Sequence, residues 1–343
     1  MRPQRRGWTA TVLTSAVVLT SSAIGTRTAL AGFADNTVQA TSTFAAAPDW
    51  VAPMVGSTTI AKTIGYLAGS IKQGGSYYVY ANLSDSGNPA SGVAATGEKA
   101  NVTTVTPAGS EVILVAGSYS IGGVAHTHRS ASLVATTPLS AGSKGYSITS
   151  LDVAGNTRTQ TGYTVVVDNT VPTASGIQTT NVSGGTVGRA QLGDTIVFTY
   201  SEQIDPESIL AGWTGSSTNV VVRLTDGGCT IILCSDDSVT VRNAVNTAQL
   251  PLGSVNLNRH DYHGGGLLGA QPPLTFGVPG TASTMTQSGA TVTVVLGTAS
   301  ATADTAGGTA TMAWSPSNLA YDAAGNVAAA TSVDESGTAD KDF

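Results

Sequence analysis

Short runs of β-branched and aromatic residues, separated by turns built from Gly, Asn, Pro, Ser and Thr, recur along most of this chain. Ser76-Tyr77-Tyr78-Val79-Tyr80-Ala81, Glu111-Val112-Ile113-Leu114-Val115 and Gly162-Tyr163-Thr164-Val165-Val166-Val167 are examples. Runs of this length, with turns between them, suit antiparallel strands packed as a sandwich. Gly145 to Leu151 alternates with period two, placing Tyr146, Ile148 and Ser150 on one side and Ser147, Thr149 and Leu151 on the other. Only 10% of residues are charged, so the Glu, Lys and Arg that favour helices are scarce. The expected fold class is all-β, in antiparallel β-sandwiches.

Residues 1–31 are read as a secretory signal. Arg2, Arg5 and Arg6 form a basic start, an uncharged apolar stretch runs from Thr9 to Ile24, and Ala29-Leu30-Ala31 offers a small-x-small cleavage site. The expected mature start is at or near Gly32. Taking the four arginines of residues 1–31 from the 15 basic residues leaves 11 against 21 acids, a net charge of −10. A chain this acidic, with no basic cluster, is a poor partner for nucleic acid. No later stretch reaches the roughly 20 apolar residues of a membrane span, so no transmembrane segment is expected in the mature chain. The expected localisation is secreted, extracellular or at the cell surface.

The 312 residues that remain of 343 suit two or three β domains. Residues 32–48 read as a leader, 49–169 as a first sandwich, 170–335 as a second and larger one, and 336–343 as a polar tail. Asp168-Asn169-Thr170-Val171-Pro172-Thr173 marks the joint, because Pro172 cannot donate to a ladder and holds Val171 extended. Asp205 to Trp213 alone looks helical, with Asp205 as cap and Pro206 at the first position. Residues 256–280 are rich in Gly and Pro and are expected to form a long surface loop.

One internal repeat is visible. Asp152-Val153-Ala154-Gly155-Asn156 returns as Asp322-Ala323-Ala324-Gly325-Asn326, each copy near the end of a module. Gly and Asn accept positive φ, and the Asp carboxylate accepts backbone N–H bonds, as a hairpin turn requires. Two copies one module apart indicate two related domains.

At these residues the chain resembles bacterial immunoglobulin-like domain proteins of the secreted and surface type. The resemblance rests on the segment Leu151 to Thr173, where strand, Asp-x-Ala-Gly-Asn, strand and Val-Asp-Asn-Thr-x-Pro-Thr follow one another. Gly193 to Pro206 looks like the opening strand pair of another such domain. It spans roughly residues 50–335 and implies tandem immunoglobulin-like antiparallel β-sandwiches. The signal region and Ala31-Gly32-Phe33-Ala34-Asp35 are also similar to those of exported camelysin-like and biofilm-fibre subunits.

No nucleophile elbow, phosphate-binding loop, His-Glu-x-x-His helix or dinucleotide fingerprint is present. The expectation is therefore a non-enzymatic structural or adhesive protein, presenting its modules to a cell-surface, matrix or host partner. Self-association through edge strands would give fibres. The alternative is a glycan-binding module that uses loop 256–280. An unrecognised hydrolase is the remote third.

The candidate sites are few. Asp152, Asp168 and Asn169 offer oxygens that would meet at the joint and hold calcium, which takes six to eight oxygen ligands; the same residues also suit plain turns. No other cofactor is expected. His260-Asp261-Tyr262-His263 groups polar side chains His260, Asp261 and His263 in the long loop as a ligand-binding set. His126-Thr127-His128 lacks a third and fourth metal ligand and is read as surface loop. Glu202 and Asp205 are the nearest approach to a carboxylate pair, but suit turn and capping roles. Cys229 and Cys234, the only cysteines, are expected to pair in an oxidising compartment.

Overall fold

The structure, a computed structural model, describes residues 49–264 and 269–343. The signal region and the leader lie outside them. The strands of the first half are β1 (Met54–Lys62), β2 (Ser70–Ile71), β3 (Ser76–Ser84), β4 (Lys99–Asn101), β5 (Val112–Ile121), β6 (Val124–Ser130), β7 (Leu133–Val134), β8 (Gly142–Leu151) and β9 (Thr157–Val167). They form one sheet in the order β1-β3-β6-β5-β4-β8-β9-β2, with β7 paired to β3. All pairings are antiparallel except β2 with β9.

The second half holds β10 (Ala174–Thr180), β11 (Thr195–Tyr200), α1 (Pro206–Ile209), β12 (Thr218–Thr225), β13 (Ser238–Asn243), β14 (Gln249–Asn256), β15 (Leu274–Phe276), β16 (Ser283–Ser288), β17 (Thr291–Val295), β18 (Ala313–Ser315) and β19 (Val333–Asp334). Its sheet runs β10-β11-β17-β16-β12-β13-β14-β18-β19, with β15 on β12. The fold is all-β, with two large sheets that curl into sandwich-like bodies. Terminal strands β1 and β2 lie side by side, as do β10 and β19.

The alternation read from sequence sets the inward faces. Tyr77, Val79, Ala81 and Leu83 of β3 point into the first core, with Tyr146, Ile148 and Ser150 of β8 buried opposite. Ile196, Phe198 and Tyr200 of β11 and Val292 and Val294 of β17 build the second core. Each such aliphatic or aromatic side chain contributes about 1.5–3 kcal/mol on full burial. Trp314 sits at the centre, edge-on to Phe198 at 5.2 Å and Tyr200 at 4.9 Å, and its Nε1 donates to Leu252 O at 2.6 Å.

Three expectations are corrected. The helical segment is one turn, Pro206–Ile209, because Leu210 is extended and Gly212 takes a φ of 74°. Residues 256–280 are not simply a surface loop. Leu257, Tyr262, Leu274 and Phe276 are buried in the second core, and Leu274–Phe276 form β15. The last residues are not a free polar tail. Asp342 and Phe343 are buried, Tyr262 OH accepts from Asp342 N at 2.8 Å, and Phe343 O accepts from Gly188 N at 2.7 Å.

Candidate metal centres and the joint between the modules

The repeated turn is the same object twice. In each copy the Asp carboxylate accepts from the Asn N–H and Asn Nδ2, at 2.7 and 2.7 Å for Asp152–Asn156 and 2.8 and 2.8 Å for Asp322–Asn326. Gly155 and Gly325 both take a φ of 92°, a left-handed conformation that favours glycine. Asn Nδ2 also reaches the carbonyl of the residue that leads into the module's first strand: Asp49 O at 2.8 Å from Asn156, and Asp168 O at 3.0 Å from Asn326.

A third carboxylate completes each copy. Asp49, Asp85 and Asp152 bring ligand atoms within 4.8 Å of one another, and so do Asp168, Glu202 and Asp322. Asp85 follows β3 and Glu202 follows β11, strands that hold the same place in their sheets. The structure therefore puts Asp152 and Asp168 in two different clusters, not one shared calcium set. Asn169 belongs to neither: its Oδ1 accepts from Gln73 N at 2.9 Å and its Nδ2 donates to Leu139 O at 2.9 Å.

The two triads differ in how their charge is met. Asp49 is held below the usual carboxylate value by the backbone N–H groups of Val51 and Ser91. Asp85 accepts from Gly92 N at 2.7 Å. In the second triad, burial first, then the nearby Asp322 and Asp168, push Glu202 up to about 7. Among the described residues Glu202 has no ion-pair partner. Three carboxylates with an uncompensated member are the donor chemistry that calcium takes. A third cluster, Glu335, Asp340 and Asp342, lies at the end of the second body away from the joint. Burial and then Glu335 push Asp342 up to about 7.

Beside the second triad the modules interlock. Lys62, at the end of β1, is buried and ion-paired to the buried Asp205 at 2.5 Å. Its Nζ also donates to Leu67 O at 3.3 Å and Ala323 O at 2.8 Å. Asp205 in turn accepts from Tyr66 N and Leu67 N, both at 2.9 Å, and from Glu207 N at 3.0 Å as the cap of α1. Lys72 Nζ reaches Gly325 O at 2.6 Å. Every donor of Lys62 and both oxygens of Asp205 are used, so the buried pair is satisfied on all sides. Desolvation pulls the Lys62 amine below its ordinary value, opposed by the Asp205 charge.

The other sequence candidates do not converge. Asp261 is ion-paired to Arg259 and accepts from Gly307 N at 2.8 Å. His263 Nε2 is 2.8 Å from Pro272 O and lines an open cavity of about 430 Å³ with Gln271 and Asp304. His260 is exposed. His126 and His128, expected in a surface loop, lie in β6 and are buried, and burial lowers the pKa of both. Cys229 and Cys234 form the disulfide, which fits an oxidising compartment. Among the described residues no helix is long and apolar enough to cross a membrane.

Sequence reasoning missed Asp49, Asp85 and the Lys62–Asp205 pair. Asp49-Trp50-Val51-Ala52-Pro53 and Asp168-Asn169-Thr170-Val171-Pro172 share Asp and Pro four residues apart. That spacing was the available signal for Asp49. No protein-family model matches the chain, and no curated protein matches it.

Proposed function

We propose that this chain is a secreted, non-enzymatic structural or adhesive protein of the bacterial immunoglobulin-like kind. Its two modules act as one stiff extracellular arm that presents its loops to a cell-surface, matrix or host partner. The observation that carries this reading is the joint. A buried ion pair, two further carbonyl contacts from Lys62 and Lys72, and two backbone donors to Asp205 tie the sandwiches together. A flexible tether would need none of these. Calcium at Asp168, Glu202 and Asp322 would add oxygen ligation beside the same joint. The disulfide and the signal-like start support export.

The test has two parts. N-terminal sequencing of culture medium should find a chain starting near Gly32. The purified chain should then bind cells or matrix saturably. Retention of the uncut chain in the membrane fraction, or no adherence to any surface, overturns the reading. The glycan alternative keeps one supporting feature, the open cavity beside His263, Gln271 and Asp304. A saturable, sugar-specific signal on a glycan array would favour it.

A further inference from the structure

The exposed apolar side chains are not scattered evenly. Ile231, Ile232 and Leu233 are consecutive and 89%, 93% and 72% exposed, at the tip of the loop closed by Cys229–Cys234. The base of that loop is fixed by Thr230 N to Leu233 O at 2.7 Å and Ser235 N to Gly228 O at 2.9 Å. Trp50 and Val153 are 74% and 69% exposed, and Val51 beside Trp50 is exposed too.

Strand directions place these groups at opposite ends of the molecule. β1 runs from Met54 to Lys62 at the joint, and β9 runs from the Asp152–Asn156 turn to the joint. Trp50, Val51 and Val153 therefore lie at the far pole of the first module. In the second module β11 ends beside the joint at Tyr200. β17 is antiparallel to β11, β16 to β17 and β12 to β16. β12 thus starts near the joint and ends at the distal pole, where Thr225 leads into the Cys229–Cys234 loop. The 181–194 loop between β10 and β11 lies at the same pole and exposes Val187 and Leu192.

The intact joint shows what the first-module pole is built to receive. The Asp152–Asn156 turn and its bond to Asp49 repeat the Asp322–Asn326 turn and its bond to Asp168. In the second module this pole is covered by the first. Asn169, at the position of Trp50, bonds to Gln73 and Leu139 of the first module. Ala323, at the position of Val153, takes Lys62. The element that reaches into the joint is the 63–75 loop between β1 and β3, whose counterpart is the 181–194 loop at the distal pole. Among the described residues, the first-module pole carries the same receiving features with an apolar surface in place of polar contacts.

From this we infer that the chain associates head to tail with further copies of itself. The distal pole of one copy, led by Ile231, Ile232 and Leu233, seats on Trp50, Val51 and Val153 of the next. The contact joins two different surfaces, so it is heterologous and propagates as an open filament. This deepens the structural reading above and rests on it. Tryptophan and aliphatic anchors carry most of the energy of such a small apolar contact, and each junction of the filament repeats it.

The test uses the secreted full chain and two variants, Trp50→Ala/Val153→Ser and Ile231→Ser/Ile232→Ser/Leu233→Ser. All substitutions are at exposed positions, and unchanged melting curves check the fold. Sedimentation velocity over a concentration series should show the parent chain growing beyond dimers. Each variant alone should stay monomeric, its association weakened by about thirtyfold or more, the scale of a lost anchor. An equimolar mixture of the two should stop at dimers, because only one live pole of each kind remains. A parent chain that stays monomeric overturns the proposal, as does a Trp50→Ala/Val153→Ser variant that still self-associates. Unchanged association in the triple-serine variant does the same. Loss of filaments with adherence intact would leave the adhesive reading standing. Loss of adherence in monomeric and filamentous samples alike would remove that reading and spare this one.

Discussion

The turns Asp152–Asn156 and Asp322–Asn326 fold alike, and Asp152 and Asp322 are both buried, yet Val153, Ala154 and Gly155 are exposed while their counterparts Ala323 and Gly325 are half-buried and Ala324 is buried beside the neighbouring module. The Asp–Asn hydrogen bonds of the two turns are the same, and apart from Ala324 N donating to Asp322 where Ala154 N donates to Ser91, the difference comes from what lies outside the turn. At the first pole, backbone N–H groups meet the carboxylates. At the joint, Lys62 and Asp205 share a desolvated space, and Glu202 of the neighbouring triad has no cationic partner among the described residues. One motif thus serves as a simple turn in one place and as part of an interface in the other.

The largest effect should come from breaking the joint. Lys62→Met leaves Asp205 charged, buried and without its cation, which costs about 3–5 kcal/mol. Replacing both, Lys62→Met with Asp205→Leu, should recover part of that loss. The recovery stays partial because the N–H groups of Tyr66, Leu67 and Glu207 lose their acceptor. Urea unfolding followed in both modules should change from one transition to two in the single variant. A loss below about 1 kcal/mol would place this pair with the surface ion pairs, and the joint would need another explanation.

Calcium should separate the two triads. If the joint triad binds it, calcium at a hundred times its dissociation constant should stabilise the chain by about 2.7 kcal/mol. Glu202→Gln should remove most of that gain, and Asp85→Asn should remove little. The reverse pattern in a calcium melting series would move the site to the first pole. No calcium response at all would leave both clusters as turn-formers.

Acidity should read the same difference without a metal. Glu202 is pushed up from 4.5 to about 7, so the folded chain holds this proton more tightly than the unfolded chain. Its stabilising contribution is complete below about 4.5 and is lost as pH rises towards 7. Asp342 has the same sign. The useful quantity is therefore the parent chain minus Glu202→Gln, which should fall with pH over that window. With calcium present the sign should reverse, since the ion needs the ionised carboxylate. A flat difference curve would mean that solvent already screens Glu202.

Much of the fold was legible because period-two alternation is local. Tyr146, Ile148 and Ser150 turned inward as their spacing requires, and the Asp-x-Ala-Gly-Asn repeat marked two related modules. The joint was not legible. Lys62 and Asp205 are 143 residues apart in sequence, and nothing local distinguishes Lys62 from a solvated lysine at a strand end. Tyr262 was hidden for a related reason. Its neighbours His260, Asp261, His263 and Gly264 read as loop, and only the docking of Asp342 and Phe343 makes it a core residue. The candidate site divided because sequence placed Asp152 and Asp168 near one module boundary, while β9 carries the chain from one pole to the other between them.

The smallest expected effect is the finest test of the comparison. Gly155→Ala and Gly325→Ala both force alanine into a φ of 92°, and the left-handed region costs an L-residue about 1–2 kcal/mol. Space does not separate them. A Cβ at Gly155 meets nothing within 4 Å, and one at Gly325 meets Lys62 Cδ at 3.5 Å, an ordinary contact. The carbonyl does separate them, since Gly325 O accepts from Lys72 Nζ at 2.6 Å. A turn that rotates its peptide to relieve strain loses nothing at Gly155, whereas at Gly325 it strains or loses that bond, worth about 1 kcal/mol. Gly325→Ala should therefore cost more, and the excess should vanish in a Lys72→Met background. A double-mutant cycle measures this directly. Coupling of Lys72 to Gly325 and none to Gly155 means that the joint grips its turn. Equal costs and no coupling would make the second turn as independent as the first, and the stiffness of the arm would then rest on Lys62 and Asp205 alone.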